Sequence, residues 1–166
     1  MIRLAAILIT AGVVVTVCGC AEPVSPEPEP PASWDPCTLP DALLEQAGFA
    51  AASRRKDVAA NTGWAGCGWS SDDAAVRVLF ADGVPLAQLR AGDEVRDPAD
   101  ITVAGRAGLR FRTGDDDPGA ACSVALPTGT EGLVRIRIDR SPGAPGERAC
   151  ARAERTAAVL VPALPR

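Results

Sequence analysis

The sequence predicts an α+β domain: a mostly antiparallel sheet of about five to six strands, with an N-terminal and a C-terminal helix packed on one face. Three observations carry this expectation. Residues 64 to 139 contain several runs in which apolar and polar side chains alternate with period two. Clusters of Gly, Pro and Asp separate those runs, and apolar residues at helical spacing lie on either side of them.

The first helix is expected to begin at Thr38. Thr38-Leu39-Pro40-Asp41 fits a capping box, and Pro40 falls in the first turn, where its missing donor costs nothing. Leu39, Leu43 and Ala47 share a face and Gly48 supplies the stop. Strands are expected over Ala65 to Ser70 and Ala74 to Ala81, with Asp72-Asp73 in the turn between them. A short helical turn over Pro85 to Arg90 directs Leu86 and Leu89 inward. Further strands are expected at Ile101 to Val103, Gly108 to Thr113, Ala121 to Leu126 and Leu133 to Asp139. Gly114 to Gly119 and Pro127 to Thr130 punctuate the last three as an antiparallel meander, with Leu109, Phe111, Val124, Val134, Ile136 and Ile138 facing the core. The closing helix starts near Glu147, follows Cys150, Ala153, Ala157 and Leu160, and ends or bends at Pro162.

Composition removes several kinds of chemistry. The chain contains no His, which excludes His-based metal sites, Ser-His-Asp triads and Cys-His dyads. Its charge is nearly balanced once four acids that precede the domain, Glu22, Glu27, Glu29 and Asp35, are set aside. A near-neutral domain offers no basic surplus for nucleic acid. At 166 residues there is room for one core, and a monomer is the expectation.

The N-terminus is expected to direct the chain out of the cytosol. An apolar run from Leu4 to Val17 is shorter than the roughly 20 residues a bilayer-spanning helix needs, but it has the length of a cleavable signal. The ending Val17-Cys18-Gly19-Cys20 resembles bacterial lipoprotein signals, which implies removal of residues 1–19 and acylation of Cys20. Several acyl chains on one residue suffice for stable membrane attachment. Residues 20–36 then form the lipidated Cys and a Pro/Glu-rich tether, extended enough to lift the domain roughly 45 Å from the lipid surface. Competing readings keep the run as a membrane anchor or cleave it without lipid, and each still exports the single domain at 37–166. The expected location is therefore the extracytoplasmic face of the cell membrane.

Four cysteines remain in the exported domain: Cys37, Cys67, Cys122 and Cys150. An even number in an oxidising compartment reads as two disulfides. Of the three possible pairings we choose Cys37 with Cys67 and Cys122 with Cys150, because each then staples a terminal helix to a strand. The competing four-thiolate zinc site lacks any CxxC knuckle, as does a redox site. No metal and no cofactor are expected. At these same residues, Asp35-Pro36-Cys37 leading into Leu39 to Leu44, then Cys67-Gly68-Trp69, Cys122, and Cys150 with Leu164-Pro165 beyond it, the chain resembles the actinobacterial lipoproteins grouped as domain of unknown function 3558. The resemblance implies a cell-envelope lipoprotein with structural disulfides and no established activity.

Candidate binding residues come from the strand pattern. Arg110, Arg112, Arg135 and Arg137 alternate with core positions on two strands, and Arg77 joins them on a third. Together they predict a basic stripe suited to phosphate, carboxylate or an anionic polymer. The competing reading is a solvated outer face, part-neutralised by Asp139, Asp115 and Glu131. The run Asp115-Asp116-Asp117 lacks the spacing of a calcium loop and reads as a hairpin turn. Of Trp64 and Trp69, which flank Cys67, at least one is expected on the core or a disulfide. The functional expectation is a non-enzymatic binding module of the envelope, its partner an envelope protein or anionic polymer. The alternative is a hydrolase acting on envelope glycan or lipid through carboxylates, with Arg as an anion clamp.

Overall fold

The computed structural model describes residues 34–166 apart from 61, 115, 118, 130 and 131. The expected signal, the lipidation position Cys20 and most of the tether lie outside the described residues. The ring of Trp34, the first described residue, meets Phe80 edge-on with centroids 5.6 Å apart. Pro36 is buried in a 3-10 turn over Pro36–Thr38.

Seven strands, all antiparallel, form one sheet. They are β1 (Ala50–Lys56), β2 (Ala65–Ser70), β3 (Ala74–Ala81), β4 (Val95–Val103), β5 (Arg106–Thr113), β6 (Ala121–Thr128) and β7 (Gly132–Arg140), in the spatial order β1-β2-β3-β7-β6-β5-β4. Two meanders, one of three strands and one of four, are therefore joined through the β3 and β7 pair. The helices are α1 (Asp41–Gln46), α2 (Leu86–Arg90) and α3 (Ala149–Leu160). Among the described residues, no helix is long and apolar enough to cross a membrane.

The expected count of five to six strands is corrected to seven. The strand that was missed is β1, an edge whose sequence Ala-Ala-Ala-Ser-Arg-Arg-Lys has little apolar alternation because most of it is exposed. The expected strand at Ile101 to Val103 is the end of the longer β4, which is irregular between Arg96 and Ala99 and contains Pro98. An edge strand tolerates both features, and both discourage pairing with another sheet.

The expected capping box is not formed. Thr38 Oγ1 donates backwards to the Asp35 carbonyl at 2.7 Å, and Asp35 Oδ1 accepts from the Cys37 amide at 2.8 Å. Pro40 stands at the N-cap of α1, which has no side-chain cap. This short helix is held by burial instead, with Leu44 and Ala47 inaccessible to solvent.

Helices α1 and α3 lie on one face of the sheet, whereas α2 packs on the other, so the expected placement of helices matches only in part. Val76, Val78, Val124, Ile136 and Ile138 meet Leu44, Ala153, Ala157 and Leu160 in the main core. Trp69 is also buried there. The opposite face carries a second, smaller cluster in which Leu109, Phe111, Ala125 and Leu133 pack beneath Trp64, Val95 and the α2 residues Leu86 and Leu89. The two clusters lie on opposite sides of the sheet, so the single core expected for Leu109, Phe111 and Val124 is divided.

Both expected disulfides are present. Cys37–Cys67 ties the turn before α1 to β2, and Cys122–Cys150 ties the first turn of α3 to β6.

Candidate functional site

Register decides where the arginines lie. Directly opposed residues in an antiparallel pair point to the same face. Arg77 opposes Arg137 and Leu79 opposes Arg135, while Arg137 opposes Ser123 and Ala125 opposes Leu109. Arg77, Arg135 and Arg137 therefore share the face of the second cluster, away from α3. Arg110 opposes Val124, which puts it under α3.

This corrects the predicted five-residue stripe. Arg110 and Arg112 belong to the other side of β5, because its apolar residues Leu109 and Phe111 serve the second cluster and alternation sends the arginines the opposite way. Arg110 Nη1 donates to Glu154 on α3 at 3.1 Å. Arg112 pairs with Asp97 and donates from Nη1 to the Asp116 carbonyl at 2.5 Å. Both are tied to local partners.

The remaining three form a network. Arg137 Nη1 and Nη2 reach the two Asp116 oxygens at 2.7 and 2.8 Å, and its Nε donates to Asp139 Oδ1 at 2.9 Å. Arg77 Nη2 donates to Asp139 Oδ2 at 2.7 Å. Three guanidiniums on neighbouring positions would repel one another without these two carboxylates between them. Arg135 is different. Its Nε donates to Ser123 Oγ at 3.1 Å and its Nη2 to Thr113 Oγ1 at 2.6 Å, while the guanidinium lies over the Phe111 ring at 5.0 Å. Among the described residues no carboxylate pairs with it.

The charge states follow. Burial, together with the neighbouring Arg137 and Arg77 charges, lowers the Arg135 pKa to about 10, so it is still a cation at neutral pH. The hydrogen bond to Asp116 holds Arg137 above its usual value, and the same bond holds the Asp116 carboxyl below the ordinary carboxylate range. Asp116 is thus a fixed anion rather than a proton donor.

Two open cavities meet at Arg135. One, of about 390 Å³, is lined by Arg77, Arg137, Asp116 and Glu94. The other, of about 340 Å³, is lined by Trp64, Val84, Leu89, Val95 and Phe111. Arg135, Thr113 and Glu94 belong to both.

A protein-family model described as a protein of unknown function (DUF3558) matches residues 16–163. The chain belongs to that family. No curated protein and no solved structure matches it. The match of this DUF3558 protein takes in all four bridged cysteines, the whole sheet and the three arginines of the network.

Other candidates resolve as follows. Asp116 is an arginine partner, and Asp117 Oδ1 accepts the Gly119 amide at 2.9 Å in the turn. Asp115 and Glu131, expected to soften the stripe, lie outside the described residues. Among the described residues, no three His, Cys, Asp or Glu side chains gather as metal ligands. Thr113 and Ser123 were not singled out in the sequence, because hydroxyls in strands carry no pattern of their own. Arg152 was also missed, although a charged residue within the apolar stripe of α3 marks it.

Proposed function

We propose that this protein is a lipid-anchored binding module on the extracytoplasmic face of the cell membrane, which engages an oxyanion-bearing partner of the envelope through Arg135 and Arg77, with Arg137 holding the carboxylates between them. One observation carries the binding site: among the described residues, the half-buried guanidinium of Arg135 is hydrogen-bonded only to hydroxyls, at the mouth of an open cavity. Arg137 has all its nitrogens committed to fixed partners, and Arg77 is held by Asp139. Arg135 Nη1 and Arg77 Nη1 have no hydrogen-bond partner among the described residues, so both can donate to an incoming oxyanion. The anchor rests on the Val17-Cys18-Gly19-Cys20 ending and the even cysteine count.

Two results are expected. The first concerns the anchor: Cys20→Ser abolishes processing and membrane partitioning in the native host, and unaltered processing refutes the anchor. In the second, binding of inorganic phosphate or acetate to the full lipidated chain, followed by equilibrium dialysis, weakens about tenfold in Arg135→Gln, the loss of one charge-assisted bond. Equal binding by the variant and the unmodified protein removes the arginine face from the reading.

A further inference from the structure

We infer that the ligand of the arginine face is a small amphiphilic carboxylate, whose apolar group enters the neighbouring cavity beside Trp64, Leu89 and Phe111. This rests on the oxyanion reading above and specifies what the anion is attached to.

The geometry places a charged subsite and an apolar subsite against each other, with Arg135, Thr113 and Glu94 as their common wall. Thr113 Oγ1 accepts from Arg135 Nη2 at 2.6 Å and from Arg137 Nη1 at 3.1 Å. With both lone pairs used, its hydroxyl proton remains to be donated. Arg135 Nη1 and the Thr113 hydroxyl thus offer two donors in the lining that the cavities share, and a carboxylate brings two acceptor oxygens. Phe111 fixes the Arg135 plane from below.

Beyond that boundary the wall turns apolar. Trp64, Val84, Leu89 and Val95 are only partly buried against the second cluster, so they leave an open hydrophobic pocket rather than a filled core. Its volume, about 340 Å³, is at the lower end of small-molecule sites and admits an aromatic ring or short aliphatic chain. Glu94 borders both cavities and Asp93 the apolar one. Those carboxylates repel any anion, and a doubly charged phosphate monoester more than a singly charged head, so the cost is smallest for a carboxylate.

The test uses equilibrium dialysis of the full lipidated chain held in phosphatidylcholine vesicles, against protein-free vesicles as background. The probes are 3-phenylpropionate, acetate, phenyl phosphate and 3-phenylpropan-1-ol. Expected is at least tenfold tighter binding of 3-phenylpropionate than of acetate, with phenyl phosphate and the alcohol weaker than 3-phenylpropionate. Leu89→Asn, checked for folding by thermal melting, should collapse the ratio of 3-phenylpropionate to acetate affinity towards one. Arg135→Gln should weaken both acids. Equal affinity for the two acids, both lost in Arg135→Gln, overturns the amphiphile and leaves the oxyanion reading standing. Binding of neither acid overturns both. Tighter binding of phenyl phosphate or of the alcohol overturns the carboxylate head.

Discussion

Replacing Cys122 and Cys150 together by Ala is expected to cost about 3.5 kcal/mol of unfolding free energy in the chain-entropy account of a cross-link. The bridge spans 28 residues and so removes many conformations from the unfolded chain. It also acts at the centre of the molecule: Cys122 is fully buried on β6, and its partner stands in the first turn of α3, the helix that covers β6 and β7. Small domains have only about 5 to 15 kcal/mol in total, so the loss removes a large part of the margin. Urea unfolding of the double variant should show a clearly lower midpoint; a loss under about 1 kcal/mol would contradict the expectation. The Cys37–Cys67 bridge, with a separation of 30, should give a similar loss by the same argument.

The second large effect is expected at Arg152. Its side chain is almost wholly buried on α3 and reaches the turn between β2 and β3, where Nη1 donates to Asp73 Oδ2 at 2.5 Å and Nη2 to Ser71 Oγ at 3.1 Å. The guanidinium also lies over the Phe49 ring at 5.0 Å. Arg152→Ala removes a charge-assisted contact together with packing, at an expected cost of about 2 to 3 kcal/mol, kept moderate because Asp73 is partly in water. Arg152→Met retains the packing and should cost less, since Arg152 Nε is itself buried without a partner.

Acid adds a signature of its own. The hydrogen bond from Arg152 lowers the Asp73 pKa below its usual 3.8. A carboxyl with a depressed folded-state pKa stabilises above its unfolded value, and that contribution is lost as pH falls from near 3.8 through the folded value. Both Arg152 variants should lack this component, so the stability gap to the unmodified protein narrows in strong acid. A gap that stays constant from pH 6 to pH 2 would refute the assignment.

The sequence made much of this fold legible and left several features out of reach. Alternation located β2, β3 and the last three strands, because each has enough apolar residues on one side to reveal its period. It could not reveal β1, whose residues are mostly solvated. Nor could it place Arg110 and Arg112 relative to Arg135 and Arg137. Period two states which residues of a strand share a side, but the side itself depends on register with the neighbour. Both sides of β5 are used, one by Leu109 and Phe111 and the other by Arg110 against Glu154, so no count within the strand decides between them. The cysteine pairing was accessible because each bridge ties the segment of a terminal helix to a strand. The strand pattern shows Arg135, but its isolation from carboxylates depends on Asp116 and Asp139 being taken by Arg137 across the folded sheet.

Strand β7 sits in the middle of the sheet although it is the last strand in the chain. Until residues 132–140 have emerged, the early hairpins have nothing to dock on and β6 lacks its central neighbour. Such long-range closure predicts slow, concerted assembly. A copy truncated before Gly132 would present two raw sheet borders, which makes it a target for proteolysis or clumping instead of a working half-molecule.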